Sequence, residues 1–254
     1  MMERPYTSAT WTQKDGRGAV TELTSRDVFT GQNGFFAELV ERTDGLPIRP
    51  IVDGRRARTV GMYFSVKNGA AAPWEAGTEL FGFHLAELTD AVVSYRAQPH
   101  TLRMRMVGRA ATYTPDREDI LSDGTRRIIE IKGRDKGDAD YQAKLSAAGR
   151  AYAALGWTFE CLDLADYRAS ARFPVVDLIQ SRRRTTITIA DVHAVQSVFE
   201  SEALCGFGQV TRALGAGQIA VAKFSAMVAR RYLAIDESFT LTDDAPVALG
   251  GALK

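Results

Sequence analysis

The sequence predicts an α/β protein in which a core with a mixed sheet precedes a small helical domain. Residues 74–164 alternate between helical and strand patterns, which is typical of an α/β unit. Residues 168–234 hold nine basic and four acidic side chains, a net of 9 − 4 = +5 in a chain whose total is +1. We therefore predict an extension of short strands and loops over residues 1–70, the core over 71–167 and the helical domain over 168–254.

The core is expected to begin with a helix that opens at Pro73 and continues to about Leu88, because apolar side chains recur there at helical spacing. A short β-rich segment over 91–95 follows. Residues 100–107 then alternate between apolar and basic side chains, which predicts a half-buried strand.

The second half of the core is predicted as a hairpin, a helix and a last strand. Segments 111–121 and 127–132 flank the turn-rich Ser122-Asp-Gly-Thr125 and indicate two paired strands. Apolar spacing predicts an amphipathic helix over 140–155, which Gly156 is expected to end. Residues 157–164 return as a strand, so the sheet is expected to be mixed.

The C-terminal region contains three predicted helices. Asp191 is expected to cap the first, which continues to about Ala203, and the second and third span 207–214 and 218–233. Gly215-Ala-Gly217 forms the tight turn between the last two, and residues 233–242 are expected to form a small β wing. This order predicts a winged helix-turn-helix.

Composition excludes several classes of protein. Hydrophobic residues at 45% and charged residues at 25% are typical of a globular chain rather than a disordered or fibrous one. No apolar run approaches the roughly 18 residues of a membrane span, and the first residues lack the apolar stretch of a signal peptide. We therefore expect a cytoplasmic protein without membrane association. Two cysteines cannot build a disulfide scaffold or a four-thiolate zinc site.

The chemistry is expected to lie in Tyr113-Thr-Pro-Asp116 and in Ile128-Ile-Glu130-Ile-Lys132. On a strand Glu130 and Lys132 share a face, and Asp116 would lie on the partner strand at nearly the same height. Two adjacent carboxylates repel each other unless a cation lies between them, and hard oxygen ligands suit Mg²⁺. Such an ion can activate water for attack on a phosphodiester. An aspartate followed by Glu-x-Lys on the partner strand is the PD-(D/E)xK nuclease arrangement. The alternative is a solvated sheet face with a cross-strand ion pair.

The length of the hairpin loop tests this interpretation. A symmetric two-residue turn at Asp123-Gly124 would place Asp116 opposite Ile131, on the wrong face of the sheet. A site that joins Asp116 with Glu130 therefore requires a loop of odd length or a bulge, and we predict one of these.

A wider set of motifs stands in a fixed order along the chain. They are Ser65-Val-Lys-Asn-Gly69, Trp74-Glu75, Glu79, Val92-Val-Ser-Tyr95, Gln98-Pro99, Tyr113-Thr-Pro-Asp116, Asp123-Gly124 and Ile129-Glu-Ile-Lys132. With these motifs the stretch 65–163 resembles the TnsA family, the endonuclease subunit of heteromeric transposases. The resemblance implies a restriction-endonuclease-like core of the PD-(D/E)xK superfamily, followed by a winged-helix-like domain.

The resemblance also implies a role for each site residue. Glu79, Asp116 and Glu130 would be the ligands of Mg²⁺, with Mn²⁺ expected to substitute, and Lys132 would be the catalytic lysine. Glu75 competes with Glu79, because one helical turn separates them and both would lie on the same helical face. The alternative for Glu75 is a carboxylate favoured by the dipole at the helix N-terminus.

By this resemblance the protein is a Mg²⁺-dependent DNA endonuclease that hydrolyses one strand at transposon ends. The implied partners are double-stranded DNA, a TnsB-like transposase subunit and a TnsC-like ATPase regulator. Two alternatives are a stand-alone phage or defence nuclease and a non-catalytic DNA-binding adaptor. The adaptor is favoured by Arg117-Glu-Asp119, because the family usually has an aromatic and an apolar residue there. These charges predict an edge or distorted strand.

Basic side chains of the C-terminal region are candidate DNA contacts. They are Arg182, Arg183, Arg184, Lys223, Arg230 and Arg231. The arginine run 182–184 could instead be a solvated linker, and the whole region could instead dock onto protein partners.

Overall fold

The computed structural model describes residues 8–14, 20–30, 35–49, 59–106, 109–134, 137–236 and 240–253. It is a mixed α/β fold with several sheets and, among these residues, six α-helices. None of the helices in these ranges combines the length and the apolar character needed to cross a membrane.

The chain divides into two compact units. Unit 1 comprises Met1–Gly61, Pro73–Ala76 and Tyr95–Asp163, and unit 2 comprises Met62–Ala72, Gly77–Ser94 and Leu164–Lys254. These units do not follow the ranges 1–70, 71–167 and 168–254, which stay predictions.

The elements up to residue 163 include eleven strands and two helices within the described residues. In chain order they are β1 (Ser8–Lys14), β2 (Val20–Thr30), β3 (Phe35–Arg42), β4 (Val60–Ser65), β5 (Ala70–Glu75), α1 (Gly77–Leu88), β6 (Val92–Ala97), β7 (His100–Met106), β8 (Arg109–Tyr113), β9 (Arg117–Leu121), β10 (Arg126–Lys132), α2 (Ala139–Ala154) and β11 (Thr158–Asp163). A short 3₁₀ turn at Tyr167–Ala169 leads into the rest of the chain. There the elements are α3 (Arg172–Arg182), α4 (Ile189–Val198), β12 (Leu204–Gly206), α5 (Phe207–Ala213), α6 (Gly217–Ala229), β13 (Leu233–Ile235) and β14 (Pro246–Leu249).

The N-terminal strands are longer than predicted. β1, β2 and β3 have 7, 11 and 8 residues, and they join β7 and β8 in an antiparallel sheet of order β1-β2-β3-β7-β8. The alternation predicted for β7 is confirmed, since Leu102 and Met104 are buried while Arg103 and Arg105 are exposed. The side chain of Met106 lies outside the described residues.

The second sheet of unit 1 has the order β11-β10-β9-β6. It is mixed as predicted, because β10 pairs antiparallel with β9 and parallel with β11. The segment predicted as one strand over 111–121 is two strands, β8 and β9, which belong to different sheets. They separate at Thr114-Pro-Asp116, where Pro115 has no backbone N–H to offer to a ladder.

Helix α2 packs in the core of unit 1, and its predicted position is confirmed. Asp138 caps its start by accepting the N–H of Tyr141 at 2.8 Å, and Gly156 follows its end at a φ of 73°. Tyr152 of α2 is fully buried in the same apolar cluster as Leu102 of β7 and Ile128 of β10. The helix therefore covers the face of β10 that also carries Glu130 and Lys132.

The β9–β10 hairpin has a three-residue loop, Ser122–Gly124, which confirms the predicted odd length. Its strands stay in register down to the pair Arg117 and Ile129. One residue further, the same register sets Asp116 level with Glu130. The loop therefore turns both carboxylates toward one face of the sheet.

Gly124 closes this loop with a left-handed φ of 83°, and its N–H donates to Leu121 O at 2.9 Å. We expect Gly124→Ala to lower the free energy of unfolding of unit 1 by about 1 kcal/mol, because a Cβ is unfavourable at this φ. Ser122→Ala, in the same exposed loop, should change it little. All three tryptophans belong to unit 1: Trp11, Trp74 and Trp157. Urea unfolding followed by tryptophan fluorescence therefore measures this unit, and equal stability of the two variants would contradict the expectation.

Unit 2 contains α1 and the C-terminal elements. From α4 onward the order is helix, strand, helix, helix, strand, strand, and the three strands form a sheet of order β12-β14-β13. Helix α5 and the turn before α6 are confirmed, with Gly215 at a φ of 122° and Gly217 at 59°. Buried side chains of α3 and α6, among them Ile179 and Phe224, belong to the core of unit 2.

Several details of unit 2 differ from the predictions. Helix α3 was not predicted, and α6 ends at Ala229 instead of 233. Thr188, not Asp191, is the N-cap of α4; Asp191 lies three residues later and completes a capping box. The second strand after α6 begins at Pro246, beyond the wing predicted over 233–242, and residues 237–239 of that wing lie outside the described residues.

Candidate active site

Asp116 lies at the bend between β8 and β9, where its half-buried carboxylate is attached to the neighbouring strand. Its Oδ2 accepts the backbone N–H of Ile131 at 2.6 Å, and its carbonyl oxygen accepts the N–H of Gln98 at 3.0 Å. Hydrogen bonds on both sides hold this bend in place. The Asp116 carboxylate is therefore held next to Glu130.

Glu130 and Lys132 of β10 point to the same face and are both buried, with 5% and 8% exposure. Lys132 Nζ lies 3.1 Å from Glu130 Oε1. The other carboxylate oxygen, Oε2, accepts the phenol O–H of Tyr113 at 2.6 Å. Oε1 also accepts the phenol O–H of Tyr141, from the first turn of α2. Among the described residues the Glu130 carboxylate thus has three donors, two of them on one oxygen.

The pKa values of the Tyr113 and Tyr141 phenols are raised by burial and by both carboxylates. Burial raises the pKa of Tyr113 well above its usual value, and the charges of Glu130 and Asp116 raise it further. Burial likewise raises the pKa of Tyr141, with contributions from the same two carboxylates. Both phenols therefore stay protonated donors at neutral pH.

Neither tyrosine was predicted as a site residue. Tyr113 is the first residue of a predicted motif, and Tyr141 falls within the amphipathic helix predicted over 140–155. One signal was present in the sequence, because the short connection between Lys132 and Ala139 forces the first turn of α2 close to the end of β10.

Glu79 is the third residue of α1, in its first turn. It belongs to unit 2, whereas Asp116, Glu130 and Lys132 belong to unit 1. The structure thus brings together three of the four predicted catalytic residues, and the role of Glu79 as a further ligand stays a prediction.

Glu75 does not lie on a helix, so the prediction that it shares a helical face with Glu79 was wrong, and its role as a ligand stays a prediction. It is the last residue of β5, and α1 begins only at Gly77, after Ala76 with a φ of 103°. The Trp74 ring packs closely on Gly61 of β4. A Cβ built on Gly61 would lie 2.5 Å from the Trp74 ring. This packing within the β4–β5 hairpin keeps the segment extended. Glu75 is 6% exposed and lies 3.9 Å from Arg49 Nη2.

The charged run Arg117-Glu-Asp119 does not form an edge strand, and that prediction was wrong. β9 lies between β10 and β6, its four pairs with β10 are regular, and all three side chains are at most 2% exposed. Arg117 and Asp119 form a two-point ion pair at 2.6 and 3.0 Å. Glu118, on the opposite face, lies 2.5 Å from Arg96 Nη2. The charges of these three residues are balanced by ion pairs inside the protein rather than by exposure to water.

A second polar group also lies in unit 1. Among the described residues, Glu41, His100 and Glu118 form a group whose ligand atoms all lie within 4.8 Å of one another, and this group could hold a metal ion. It shares no residue with the predicted ligands. Arg96 Nη2 already lies 3.1 Å from Glu41 and 2.5 Å from Glu118, so a guanidinium supplies positive charge between the two carboxylates.

His100 is the neutral member of this group. Burial, together with the positive charges of Arg96, Arg26 and Arg126, lowers the pKa of its imidazole to about 3. Its Nε2 forms a 2.8 Å hydrogen bond with the hydroxyl of Tyr152. As predicted, His100 is the first residue of its strand.

Three of the predicted DNA contacts are engaged inside unit 2. Lys223 Nζ lies 2.5 Å from Asp191 Oδ1. Arg230 Nη1 donates to the carbonyl oxygen of Arg183 at 3.0 Å, and Arg231 Nε donates to Asp90 O at 2.7 Å. These side chains therefore stabilise unit 2, and a role in binding DNA stays a prediction.

The arginines 182–184 lie at the end of α3. Arg182 Nη2 donates to Gln218 Oε1 at 2.8 Å. The Arg183 and Arg184 guanidinium groups lie 4.8 and 4.9 Å from the ring centroids of Tyr63 and Phe64. Arg184 and Phe64 are both exposed.

Comparison with known proteins adds no relative: no protein-family model and no curated protein matches the chain. The resemblance to the TnsA family stays a hypothesis that depends on the motifs and on the geometry above.

Proposed function

We propose that the protein is a Mg²⁺-dependent DNA endonuclease of the TnsA kind, which hydrolyses one strand at transposon ends together with a transposase subunit. The observation that supports this proposal best is the meeting of Asp116, Glu130 and Lys132 at the open end of the β9–β10 hairpin. Two hard oxygen ligands can hold a divalent ion, and the buried ammonium group beside them can balance the charge of a phosphodiester under attack.

Each residue has a role in this proposal. Asp116 and Glu130, with Glu79 as a further ligand, would hold Mg²⁺ or Mn²⁺. When bound, the ion lowers the pKa of water and balances phosphate charge. Lys132 would hold the attacking water or balance the negative charge that develops on the phosphate. Tyr113, buried beneath Glu130, orients its carboxylate through the 2.6 Å hydrogen bond.

The surrounding fold supports the same proposal. The mixed sheet with β9 and β10, followed by α2 and the parallel β11, is consistent with a restriction-endonuclease-like core. The order of elements from α4 to β14 is consistent with a winged helix, and this supports binding of double-stranded DNA or of a partner subunit. A TnsB-like transposase and a TnsC-like ATPase regulator would be the partners, in the cytoplasm.

Two other functions remain as candidates. A stand-alone phage or defence nuclease would use the same site, and only the need for a transposase separates it from the first proposal. A non-catalytic DNA-binding adaptor is favoured by the three donors that already occupy the Glu130 carboxylate. An adaptor would bind no metal at this site.

Metal binding therefore tests the proposal. We expect Mn²⁺ and Mg²⁺ to bind the wild-type chain in calorimetry with duplex DNA present, and Asp116→Ala to abolish binding because one of two converging carboxylates is lost. Asp123→Ala removes an exposed carboxylate from the loop of the same hairpin and should bind like the wild type. Absence of binding at millimolar metal, both by the wild type and by variants in which a donor to Glu130 has been removed, would contradict the proposal and favour the adaptor.

A further inference from the structure

Tyr141 contacts two of the residues on which the proposed function rests. Its phenol O–H donates to Glu130 Oε1, and its ring centroid lies 3.7 Å from Lys132 Nζ. Lys132 Nζ lies 3.1 Å from the same Oε1. The three side chains therefore contact one another pairwise. The phenol of Tyr141 and the ammonium group of Lys132 both donate to the same carboxylate oxygen of Glu130.

This arrangement leaves Glu130 Oε1 without capacity for a metal ion. A carboxylate oxygen has two lone-pair sites, and Oε1 already accepts from Lys132 and Tyr141. The other oxygen accepts from Tyr113 at 2.6 Å. For Oε1 to become a metal ligand, one of its two donors has to leave.

Burial distinguishes the donors that can leave from those that cannot. Tyr113 is 4% exposed and packs edge-to-face against Tyr152 and Phe159 in the core. Lys132 is 8% exposed. Tyr141 is only partly buried and lies in the first turn of α2, so rotation about its χ1 can carry the phenol into solvent. Tyr141 is therefore the donor that can move.

Gly137 accommodates the Tyr141 ring in this position. It has a φ of 73°, and a Cβ built on it would lie 2.4 Å from the ring. Any larger residue at 137 would displace the ring from Glu130 and Lys132. A change at Gly137 thus opens the arrangement without altering Tyr141 itself.

We propose that Tyr141 is a positioning residue that latches the site: its phenol holds Glu130 against Lys132, and metal binding through Oε1 requires that phenol to leave Glu130. This inference rests on the proposed function and adds how that site is regulated. Because metal and phenol compete for one oxygen, whatever draws Tyr141 off Glu130 raises metal affinity, and bound metal in turn favours the released tyrosine.

Calorimetric titration with Mn²⁺ tests the latch on the full chain. We expect Tyr141→Phe to bind Mn²⁺ about tenfold more tightly than the wild type, because the competing hydrogen bond to a charged group is gone. Tyr113→Phe removes the other phenol and should bind more weakly, because Tyr113 orients Glu130. Weaker binding by Tyr141→Phe would mean that its phenol orients the ligand, and unchanged binding would mean that it has no influence. Either result overturns the latch.

A second pair of variants tests the latch by changing a glycine beside Tyr141 instead of Tyr141 itself. Gly137→Ala should also bind Mn²⁺ more tightly, because its methyl group displaces the ring. Gly156→Ala is the matched control, since Gly156 has the same φ of 73° at the other end of α2 and no atom within 4 Å of its built Cβ. Equal affinity of these two variants would argue against the latch.

The titrations separate failure of the latch from failure of the proposed function. Binding by the wild type without tighter binding by Tyr141→Phe overturns the latch alone. Binding by Tyr141→Phe with none by the wild type supports both. Absence of Mn²⁺ binding in every variant overturns the nuclease and the latch together.

Discussion

Replacing Asp119 by alanine is expected to lower the free energy of unfolding of unit 1 by about 3–5 kcal/mol. Asp119 is completely buried and accepts two hydrogen bonds from Arg117, which is itself 2% exposed. The substitution removes a carboxylate that pairs with a buried guanidinium, and loss of one partner of a buried ion pair is strongly destabilising. Arg127, which lies 3.0 Å from Asp119 and is partly exposed, can turn toward water.

Two controls separate the buried charge from other effects. Arg117→Met combined with Asp119→Val removes both charges, and it should recover most of the lost stability, because an apolar pair of similar volume replaces a buried ion pair well. Glu160→Ala removes a half-exposed partner of Arg127 at 3.6 Å and should change stability by less than about 1 kcal/mol. Urea unfolding followed by tryptophan fluorescence reports on unit 1. A loss for Asp119→Ala no larger than that for Glu160→Ala would contradict this account of β9.

The parts of the candidate site that could be predicted depend on short stretches of sequence. Glu130 and Lys132 share a face because they are two residues apart on a strand, whatever else the chain does. The odd length of the hairpin loop could be predicted because only that register sets Asp116 level with Glu130. Helix α2 and its end at Gly156 also followed from local spacing and capping.

The parts that could not be predicted depend on residues far apart in the chain. Nothing local indicates that Arg117-Glu-Asp119 is a buried strand, because Arg96 compensates Glu118 from another strand. The sequence pattern around Glu75 predicts a helix, but the Trp74 ring packs on Gly61 of the neighbouring strand and the segment is extended. The same holds for Tyr141, whose helical spacing indicates a core position but does not reveal that its phenol reaches Glu130.

Replacing Lys132 by methionine is expected to lower DNA cleavage by at least about 100-fold while Mn²⁺ binding is retained. Methionine keeps the apolar stem of this buried side chain and removes the ammonium group that would act on water or phosphate. Lys144→Met is the matched control, because Lys144 Nζ lies 4.7 Å from the same Tyr141 ring centroid and has no role in the proposed chemistry. Lys144→Met should cleave DNA at the same rate as the protein into which it is introduced.

The measurement is nicking of supercoiled plasmid in Mn²⁺, with each lysine variant made in the wild type and in Tyr141→Phe. The second background matters because a latched site can be silent without a partner, and release of Glu130 should raise cleavage by the chain alone. A contaminating nuclease would act equally in every preparation, so loss in Lys132→Met but not in Lys144→Met assigns cleavage to this site. Equal cleavage by the two lysine variants would remove Lys132 from the mechanism. Metal binding in all variants, with no nicking even in Tyr141→Phe, would instead point to a site that binds an ion but depends on a partner for hydrolysis.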